Sequence, residues 1–380
     1  MSVKYTEGLG SLAKLPGIIK KYGARKTLLV TGRHSYQACG AAAIVDPLVD
    51  ELNIVQFSDF SVNPKFEEAM RATHLAQTES VDLIVAIGGG SVMDMAKLVK
   101  AFLTAPEHAE ELTRGARTMS GAGLPLITVP TTAGSGSEAT HFAVVYIGHD
   151  KFSLASKYLL PENVILDGRL LSSASPYQRA CNGLDALAQA IESAWAAGST
   201  EESRHYSFSA IEKVINQLKP IVDGTASELD FQDMLVAANL AGRAINIAKT
   251  TSAHAWSYGI TGHYGLPHGH AVWMTLPAIF GLHVKAAREN ENITDPRGSQ
   301  HFKLIMYRIM ELLGIKDESA AEESLRNYLH SIAVDTMLED IGAETVEQRS
   351  FLSKQVNMQR MSNNPVGLYQ AQIDHIFRLT

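Results

Sequence analysis

Residues 81–97 have the sequence VDLIVAIGGGSVMDMAK, in which three glycines join a hydrophobic strand pattern directly to a helical one. Two further apolar runs, KTLLVT at residues 26–31 and LITV at residues 126–129, are also typical of buried strands. Helical patterns lie between these runs, at residues 41–52 and 66–77. Strands that alternate with helices form a parallel sheet with helices on both faces. The first half of the chain is therefore predicted to be a Rossmann-like α/β domain.

The second half of the chain has a different pattern. Segments rich in Ala, Leu and Met recur there with helical periodicity, and strand patterns nearly vanish after residue 167. These segments are residues 185–197, 203–218, 231–248 and 301–313. We expect an α/β domain at residues 1–170, an all-helical domain at residues 171–380, and a small-ligand site in the cleft between them.

Composition excludes several classes of protein. Hydrophobic residues make up 46% of the chain and charged residues 19%, which is typical of a globular protein and not of a disordered one. The net charge of −7 is spread without basic clusters, so no nucleic-acid partner is expected. No apolar run is long enough to span a membrane, and the first residues lack a signal-peptide pattern. With only two cysteines, Cys39 and Cys181, a cytoplasmic protein with a small-molecule partner is the expectation.

The three glycines are placed to bind a diphosphate. Gly88, Gly89 and Gly90 remove every Cβ where the strand turns into the helix, so backbone N–H groups and the positive helix end can approach phosphate closely. Ser91 and Asp94 follow on the predicted helix. The pattern is neither the dinucleotide G-x-G-x-x-G motif nor the P-loop, and a tight turn without a ligand is the alternative.

A second loop of small residues follows the strand at residues 126–129. It has the sequence PTTAGSGSEAT at residues 130–140. Open α/β sheets bind ligands at the carboxyl ends of their strands, where glycine and hydroxyl residues let a ligand pass close to the backbone. The candidate cofactor-binding residues of this loop are Thr131, Thr132, Ser137 and Thr140. A flexible surface loop is the alternative.

Histidine spacing indicates a metal site. Four of the 14 histidines lie within seventeen residues: His254, His263, His268 and His270. Asp185 and Gln189 lie four residues apart on a helical pattern, which puts both side-chain oxygens on one face. Imidazole nitrogen with carboxylate oxygen suits Fe(II), Zn(II), Ni(II) or Co(II), whereas sites made only of oxygen favour Mg or Ca. Buried core histidines, a surface cluster or a solvated helix face are the alternatives.

These motifs resemble those of the iron-containing (group III) alcohol dehydrogenases, in the same order and over nearly the whole chain. The glycine turn resembles the family's cofactor turn, and residues 130–138 resemble its second cofactor loop. The sequence LPHG at residues 266–269 resembles its histidine signature, and NNP at residues 363–365 resembles its C-terminal segment. The resemblance implies a dehydroquinate synthase-like architecture, a nicotinamide cofactor and one divalent metal.

The family holds its metal with Asp-x-x-x-His on one helix and two histidines fourteen residues apart. The resemblance therefore implies Asp185, His254 and His268 as ligands, with Gln189 where the family has histidine. An amide oxygen is a weaker and harder ligand than imidazole, so the affinity and the identity of the metal stay open between Fe(II), Zn(II) and Ni(II).

A second departure concerns proton transfer. Tyr258 stands four residues after His254, where the family usually has an active-site histidine. The resemblance implies that the catalytic role passes to Tyr258, to His263 or to a water on the metal, and packing is the alternative role of both residues. With these two departures, the chain resembles the phosphonoacetaldehyde reductase branch of the family in the runs at residues 185–193, 199–204, 249–258 and 267–271. That branch reduces phosphonoacetaldehyde to 2-hydroxyethylphosphonate in phosphonate biosynthesis.

The loop after the first strand bears on cofactor choice. Family members that use NAD commonly have an acidic residue here, which holds the ribose 2′-hydroxyl. This chain has TGRHS at residues 31–35, where Gly32, Arg33 and Ser35 could receive a 2′-phosphate. We therefore expect NADP(H) in preference to NAD(H), with a solvent-facing Arg33 as the alternative. Lys151 matches a family lysine on the cofactor side of the cleft.

Three other functions are consistent with the sequence. They are a dehydrogenase of another small alcohol or aldehyde, a lyase similar to the dehydroquinate synthase-like cyclases, and a binding protein that has lost its metal. The Asp-x-x-x-Gln helix and the Pro-His-Gly turn favour a dehydrogenase. A phosphonate aldehyde would need cationic groups, for which Lys157, His263 and His270 are candidates by proximity to the motifs alone. Family members are commonly dimers or larger, so a homo-oligomer is expected.

Overall fold

The structure, a computed structural model, describes residues 3–148 and 150–379. The chain divides into two compact units. The first consists of Met1–Ala174 with Ser227–Asn239, and the second of Ser175–Ala226 with Leu240–Thr380. No helix in the described ranges is long and apolar enough to cross a membrane.

The first unit is built on a parallel sheet. Its described part contains eight strands: β1 Lys4–Glu7, β2 Thr27–Thr31, β3 Ile54–Phe57, β4 Leu83–Gly88, β5 Leu126–Pro130, β6 Phe142–Ile147, β7 Asp150–Ala155 and β8 Asn163–Leu166. Six of them form one sheet in the order β1-β8-β5-β4-β2-β3, with every neighbouring pair parallel. The remaining pair, β6 and β7, forms an antiparallel hairpin that the sequence patterns did not predict. The predicted parallel α/β architecture is confirmed.

Helices cover both faces of this sheet. They are α1 Leu15–Tyr22, α2 Ser35–Ala38, α3 Ala41–Val45, α4 Phe66–Thr78, α5 Gly90–Phe102 and α6 Ala109–Thr113. Successive side chains of a strand point to opposite faces. Accordingly, Ile84 and Ala86 of β4 belong to the apolar cluster that includes α4 and α5, whereas Leu83 and Val85 belong to the cluster that includes α1 and α3.

One helix of this unit is shorter than its sequence pattern. The pattern predicts a helix over residues 41–52, but α3 ends at Val45 and a 3-10 turn takes its place at Asp46–Leu48. Pro47 is the cause, because proline has no backbone N–H to continue the helical hydrogen bonds and its ring disfavours helical geometry before it.

The second unit is helical, as the sequence predicts. Its helices are α7 Pro176–Trp195, α8 Glu201–Asp223, α10 Ser252–Tyr264, α11 His268–Trp273, α12 Leu276–Glu289, α13 Ser299–Leu312, α14 Ala321–Ser331, α15 Val346–Lys354, α16 Met358–Met361 and α17 Gln370–Phe377. Helix α9, Glu228–Ala248, begins in the first unit and ends in the second. Between residues 167 and 379, the only strand-like pairing is an isolated bridge between Ile293 and Val366.

Helix α7 lies at the centre of this unit. It begins at Ser175, whose hydroxyl accepts a hydrogen bond from Gln178 N, and Pro176 occupies the first helical position. From Gly183 to Trp195 every residue is buried. Gly183 allows a close approach to α8, because a Cβ at this position would lie 2.3 Å from Leu218.

Candidate metal centre and cofactor turn

Two predicted cofactor loops meet at one edge of the parallel sheet. Strands β2 and β4 are neighbours, and Thr31 pairs with Ile87 just before the two loops begin. The chain leaves β2 toward β3 on one side of the pair and leaves β4 toward β5 on the other side. Such a reversal of direction opens a crevice at the carboxyl ends of the strands, where α/β sheets bind nucleotides.

The glycine turn after β4 leaves no space for a Cβ atom, so a ligand can approach its backbone directly. A Cβ on Gly88 would lie 2.4 Å from Val92 Cγ2, and one on Gly90 would lie 2.9 Å from Ser135 Oγ. Gly89 caps the thirteen-residue helix α5 and makes no side-chain cap hydrogen bond to its first N–H groups. A diphosphate fits this arrangement, because the free N–H groups and the helix dipole both favour an anion.

The second loop contributes two kinds of residue. Thr132 and Ser135 are half-buried and lie against Gly89 and Gly90, so they border the turn. The other predicted residues of this loop are buried: Thr131, Ser137 and Thr140. Ser135 was not among the predicted site residues, because the contact between two loops is a tertiary feature that spacing does not show.

The buried residues of the second loop are held by Lys97. Its ammonium group donates to Ser137 O at 2.5 Å, to Thr140 Oγ1 at 3.0 Å and to Phe142 O at 2.9 Å. Burial lowers the pKa of Lys97 to about 8, and the carboxylates of Asp94 and Glu138 oppose this shift. The role of Lys97 in shaping the loop was missed from sequence.

Asp94, a predicted cofactor residue, makes its contacts within the first unit. Its Oδ1 accepts a hydrogen bond from Ser137 Oγ at 2.8 Å, and its Oδ2 accepts one from Val144 N at 3.2 Å. Burial raises the pKa of Asp94, against the effect of Lys97 and Lys151. Lys151 itself is exposed on β7. The contacts of Asp94 therefore position the cofactor loop and the β6–β7 hairpin.

The loop after β2 has no acidic residue of its own, but a carboxylate from another loop pairs with it. Arg33 forms an ion pair with Asp59, which follows β3, and Arg71 of α4 lies 3.4 Å from the same carboxylate. Position 32 requires glycine, because a Cβ there would lie 2.2 Å from Ser35 Oγ. Arg33 is exposed, as the alternative of a solvent-facing residue expects, and its guanidinium pairs with Asp59. Two guanidinium groups share one carboxylate here, which leaves one excess positive charge.

The second unit brings three of the predicted metal ligands together. One potential ligand atom from each of Asp185, His254 and His268 lies within 4.8 Å of the other two. Asp185 and His254 are buried, and Asp185 Oδ1 lies 3.6 Å from His254 Nε2. Neither of these two atoms has a hydrogen-bond partner among the described residues. Buried polar atoms normally have partners, so this donor set fits a divalent ion.

Gln189 lies beside this cluster. It is buried one turn after Asp185 on α7, and its side chain hydrogen-bonds the Asp185 carboxylate. Burial raises the pKa of Asp185, but the two histidines and, to a smaller extent, Gln189 outweigh burial and lower that pKa. Gln189 Oε1 is buried beside the cluster, and an amide can keep its N–H on Asp185 while its oxygen binds another group.

Glu192, which spacing did not single out, lies behind His254. Its carboxylate is fully buried and accepts hydrogen bonds from His254 Nδ1, from Thr251 Oγ1 at 2.6 Å and from Ala253 N at 2.9 Å. A proton on Nδ1 leaves the lone pair on Nε2, which faces Asp185. A carboxylate behind a histidine ligand is a common means of fixing its tautomer.

The charge balance of the cluster is negative before any ion binds. Burial lowers the pKa of His254, but Glu192 and Asp185 outweigh burial and raise that pKa to about 9. The cluster therefore attracts a positive charge, which a proton supplies in the absence of a metal.

Gly269 allows the histidine signature to approach α7. A Cβ on Gly269 would lie 2.0 Å from Cys181 O and 2.8 Å from Asp185 N, so only glycine fits this crossing. His268, the first residue of α11, is thereby brought near Asp185, and its ring centroid lies 5.3 Å from that of His254.

The two candidate proton donors have different positions on α10. Tyr258 lies one turn after His254 and stacks on His268, with ring centroids 5.8 Å apart. His263 lies nine residues after His254, which on a helix is about 13 Å along the axis and on the opposite face. It is exposed and packs edge-on against Phe351. Tyr258 is thus brought to the cluster, whereas His263 is not.

Comparison with family models gives two matches in tandem. Residues 2–168 match the model described as iron-containing alcohol dehydrogenase. Residues 179–380 match the model described as Fe-containing alcohol dehydrogenase family, C-terminal. The two matches together span both units and favour an oxidoreductase over the cyclase alternative.

Individual relatives agree with this assignment. The chain is 33% identical to the phosphonoacetaldehyde reductase of Streptomyces viridochromogenes over 292 residues, which is 75% of this chain and 72% of that protein. It is 26% identical to long-chain-alcohol dehydrogenase 1 of Geobacillus thermodenitrificans over 379 residues, 97% of this chain and 93% of that one. Sulfoacetaldehyde reductase from Bifidobacterium kashiwanohense, solved in complex with NAD+, superposes with a TM-score of 0.86 at 27% identity. That superposition covers 99% of this chain and 96% of the other.

Proposed function

The chain belongs to the iron-containing alcohol dehydrogenase family and is an alcohol dehydrogenase oxidoreductase, and from this premise we propose that it reduces phosphonoacetaldehyde to 2-hydroxyethylphosphonate with NADPH. The observation that carries the proposal is the likeness to a phosphonoacetaldehyde reductase, whose identity exceeds that of the long-chain alcohol dehydrogenase. The reverse reaction, oxidation of the alcohol, uses the same groups.

Asp185, His254 and His268 would hold the divalent ion, with the Gln189 amide oxygen as a fourth candidate. When bound, the ion supplies Lewis acidity to the aldehyde oxygen and the reduced nicotinamide supplies the hydride. Glu192 keeps the Nε2 lone pair of His254 available for the ion by holding the Nδ1 proton. The burial of this cluster keeps bulk water away, which strengthens each electrostatic contact.

The product oxygen needs a proton, and Tyr258 is the proposed donor. Its ring stacks on His268, so its position is tied to that of a proposed ligand. A tyrosine hydroxyl donates one proton and can be reprotonated from solvent, which its half-buried position permits. We therefore assign the proton transfer to Tyr258 Oη.

The first unit would bind NADPH at the glycine turn. Gly88, Gly89 and Gly90 present the N–H groups of α5 to the diphosphate. The Arg33–Asp59–Arg71 cluster carries one excess positive charge, which suits a ribose 2′-phosphate better than a 2′-hydroxyl. This cluster supports the proposed preference for NADP(H).

An aldehyde panel tests the proposed reaction. Enzyme stripped of metal and reloaded with Fe(II), Zn(II) or Ni(II) is given NADPH or NADH with phosphonoacetaldehyde or propanal, and nicotinamide absorbance is followed. We expect kcat/KM for phosphonoacetaldehyde to exceed that for propanal by at least about tenfold, because a charged group adds about 1.5–3 kcal/mol of binding. Equal kcat/KM values for the two aldehydes would contradict the phosphonate assignment.

A charge variant tests the cofactor assignment. Arg33→Ala should reduce the ratio of kcat/KM with NADPH to that with NADH by about tenfold, since one charge-assisted contact is lost. Arg25→Ala is the matched control, because Arg25 is an exposed arginine paired with Asp82 in the same unit. An unchanged ratio in the Arg33 variant would show that the 2′-phosphate binds elsewhere.

Sulfoacetaldehyde is the second candidate substrate. The observation that favours it is the superposition on a sulfoacetaldehyde reductase along almost the whole chain. A sulfonate carries one negative charge, whereas a phosphonate carries up to two near neutral pH. Adding sulfoacetaldehyde to the aldehyde panel decides between them by kcat/KM.

A further inference from the structure

Lys249 has a backbone conformation that its residue type does not explain. It follows the last residue of α9 with φ of +64°, and its N–H donates to Ile245 O at 3.0 Å. Glycine or asparagine usually occupies this position after a helix, because a Cβ is strained in left-handed geometry. Strained residues of this kind cluster at ligand sites. The backbone conformation of Lys249 therefore makes its side chain a candidate for ligand binding.

Asn363 joins Lys249 to a second cation, Arg360. Its side-chain amide donates to Ala248 O at 2.8 Å and to Thr250 O at 3.1 Å, the two carbonyls that flank Lys249. Its own backbone N–H donates to Arg360 O at 3.1 Å. One asparagine thus holds the backbones of the two cationic residues together, although 111 positions separate them in sequence.

Lys249 and Arg360 are both half-buried, and Asn363 holds their backbones together. Burial and the nearby Arg360 guanidinium both lower the pKa of Lys249, to about 8. Arg360 is also half-buried, and its guanidinium forms no ion pair with a carboxylate in residues 3–148 and 150–379. Two neighbouring positive charges that are partly withdrawn from water repel each other. An anion bound between them would remove this cost.

The pair is anchored to the segment that contains His254. Thr251, two residues after Lys249, donates its hydroxyl to the carboxylate behind His254. Asn357, three residues before Arg360, donates its N–H to the carbonyl of the residue after His254 at 3.0 Å. Both cations therefore belong to the same hydrogen-bonded framework as the candidate metal centre.

We propose that Lys249 and Arg360 bind the phosphonate group of the substrate, an inference that rests on the proposed function. A guanidinium donates two parallel hydrogen bonds to two oxygens of such a group, and an ammonium can bind the third. The aldehyde carbon is two bonds from phosphorus, so a site near His254 suits a molecule of this length.

The candidates chosen from sequence proximity have other contacts. His270 is buried and uses both ring nitrogens, with Tyr177 Oη at 2.8 Å and Asp335 O at 3.0 Å. His263 packs edge-on against Phe351. Lys157 is exposed in the first unit, over the ring of Tyr158.

Charge-removing variants test the pair in the metal-loaded enzyme. Lys249→Gly removes the ammonium and suits the left-handed backbone, so we expect it to fold with an unchanged or higher Tm. The ratio of KM for phosphonoacetaldehyde to KM for propanal should rise about 10- to 100-fold in Lys249→Gly and in Arg360→Met. Lys249→Arg, which keeps the charge, should retain most of the wild-type ratio. Lys354→Met is the control for loss of an exposed positive charge in the same unit.

Binding of methylphosphonate to the NADPH-bound enzyme, measured by calorimetry, gives a readout independent of turnover. Weaker binding in Lys249→Gly and Arg360→Met supports the pair, and binding equal to wild type overturns it. If the wild type prefers phosphonoacetaldehyde but both variants keep that preference, the pair is wrong while the proposed function stands. If the wild type shows no preference, the proposed function is overturned, and the methylphosphonate titration still decides whether the pair binds the anion.

Discussion

Replacing Glu192 with glutamine tests whether this carboxylate sets the tautomer of His254. Glutamine has the same shape and keeps one acceptor oxygen, but its other end is an N–H donor. If the oxygen stays on Thr251 and Ala253, which now approach at 2.6 and 2.9 Å, the amide nitrogen meets His254 Nδ1. That nitrogen must then accept the amide hydrogen, so the ring proton moves to Nε2. A protonated Nε2 cannot bind a metal ion.

The size of the effect follows from these contacts. We expect the affinity for a divalent ion to fall about 10- to 100-fold, as is typical when the partner of a metal-binding histidine is lost. This corresponds to about 1.4–2.7 kcal/mol of binding free energy. Alanine is less informative, because it leaves four buried donors without this acceptor at about 1–3 kcal/mol each. Such a loss approaches the whole stability of a typical domain, about 5–15 kcal/mol.

Competition between the protein and a chromophoric chelator for Zn(II) or Co(II) measures this affinity. The visible spectrum of the Co(II) protein reports separately on the ligand geometry. Glu323→Gln, on the exposed side of α14, is the control for loss of one negative charge in the same unit. Wild-type affinity and an unchanged Co(II) spectrum in Glu192→Gln would refute the reasoning, because the Nε2 lone pair would then not depend on Glu192.

Three other predictions concern packing, pH and the cofactor loop. Gly269→Ala should lower the free energy of unfolding by about 1–3 kcal/mol or more and weaken metal binding, because its Cβ meets Cys181 O at 2.0 Å. Gly262 on α10 has open space around it, so Gly262→Ala should instead raise the free energy of unfolding by about 0.5–1 kcal/mol. Urea unfolding measures both variants, and a change of the same sign in the two would contradict the packing argument. Burial lowers the pKa of His283 to about 3 from its usual 6.5, so between these values the unfolded chain binds the proton and stability falls as pH falls. His283→Gln should flatten that part of the profile of unfolding free energy, by up to about 1.4 kcal/mol per pH unit, and parallel profiles would exclude His283 as the cause. Lys97→Met should weaken NADPH binding about tenfold in fluorescence titration, since the loop at residues 137–142 loses the three hydrogen bonds that Lys97 donates to it, whereas Lys354→Met should not.

The parts of the fold that were predictable depend on short stretches of chain. The buried strands, the glycine turn and the helical second half each have a local pattern, and the structure confirms them. The pairing of Asp185 with His254 and His268 was implied by the family resemblance, and the structure brings these three side chains together. Their role as metal ligands stays a prediction.

The parts that were missed depend on contacts between distant residues. Asp59 meets Arg33 only because β3 and β2 are neighbours in the sheet. Glu192 follows Asp185 by seven residues, which is unremarkable until α10 places His254 beside it. The joining of Lys249 to Arg360 through Asn363 has no local signal at either end. In each case the role of the residue depends on a tertiary contact that the local sequence does not show.

The discontinuity of the first unit has a consequence for the order of synthesis on the ribosome. This unit includes Ser227–Asn239, and Gln232 accepts from Gly168 N at 2.8 Å while Asn239 donates to buried Glu138 at 3.0 Å. A nascent chain that has emerged only to residue 170 lacks both partners, so buried Glu138 is without the hydrogen bond from Asn239. We therefore expect the first unit to reach its native state only after α7, α8 and the first half of α9 have been translated, although its sheet is complete some seventy residues earlier.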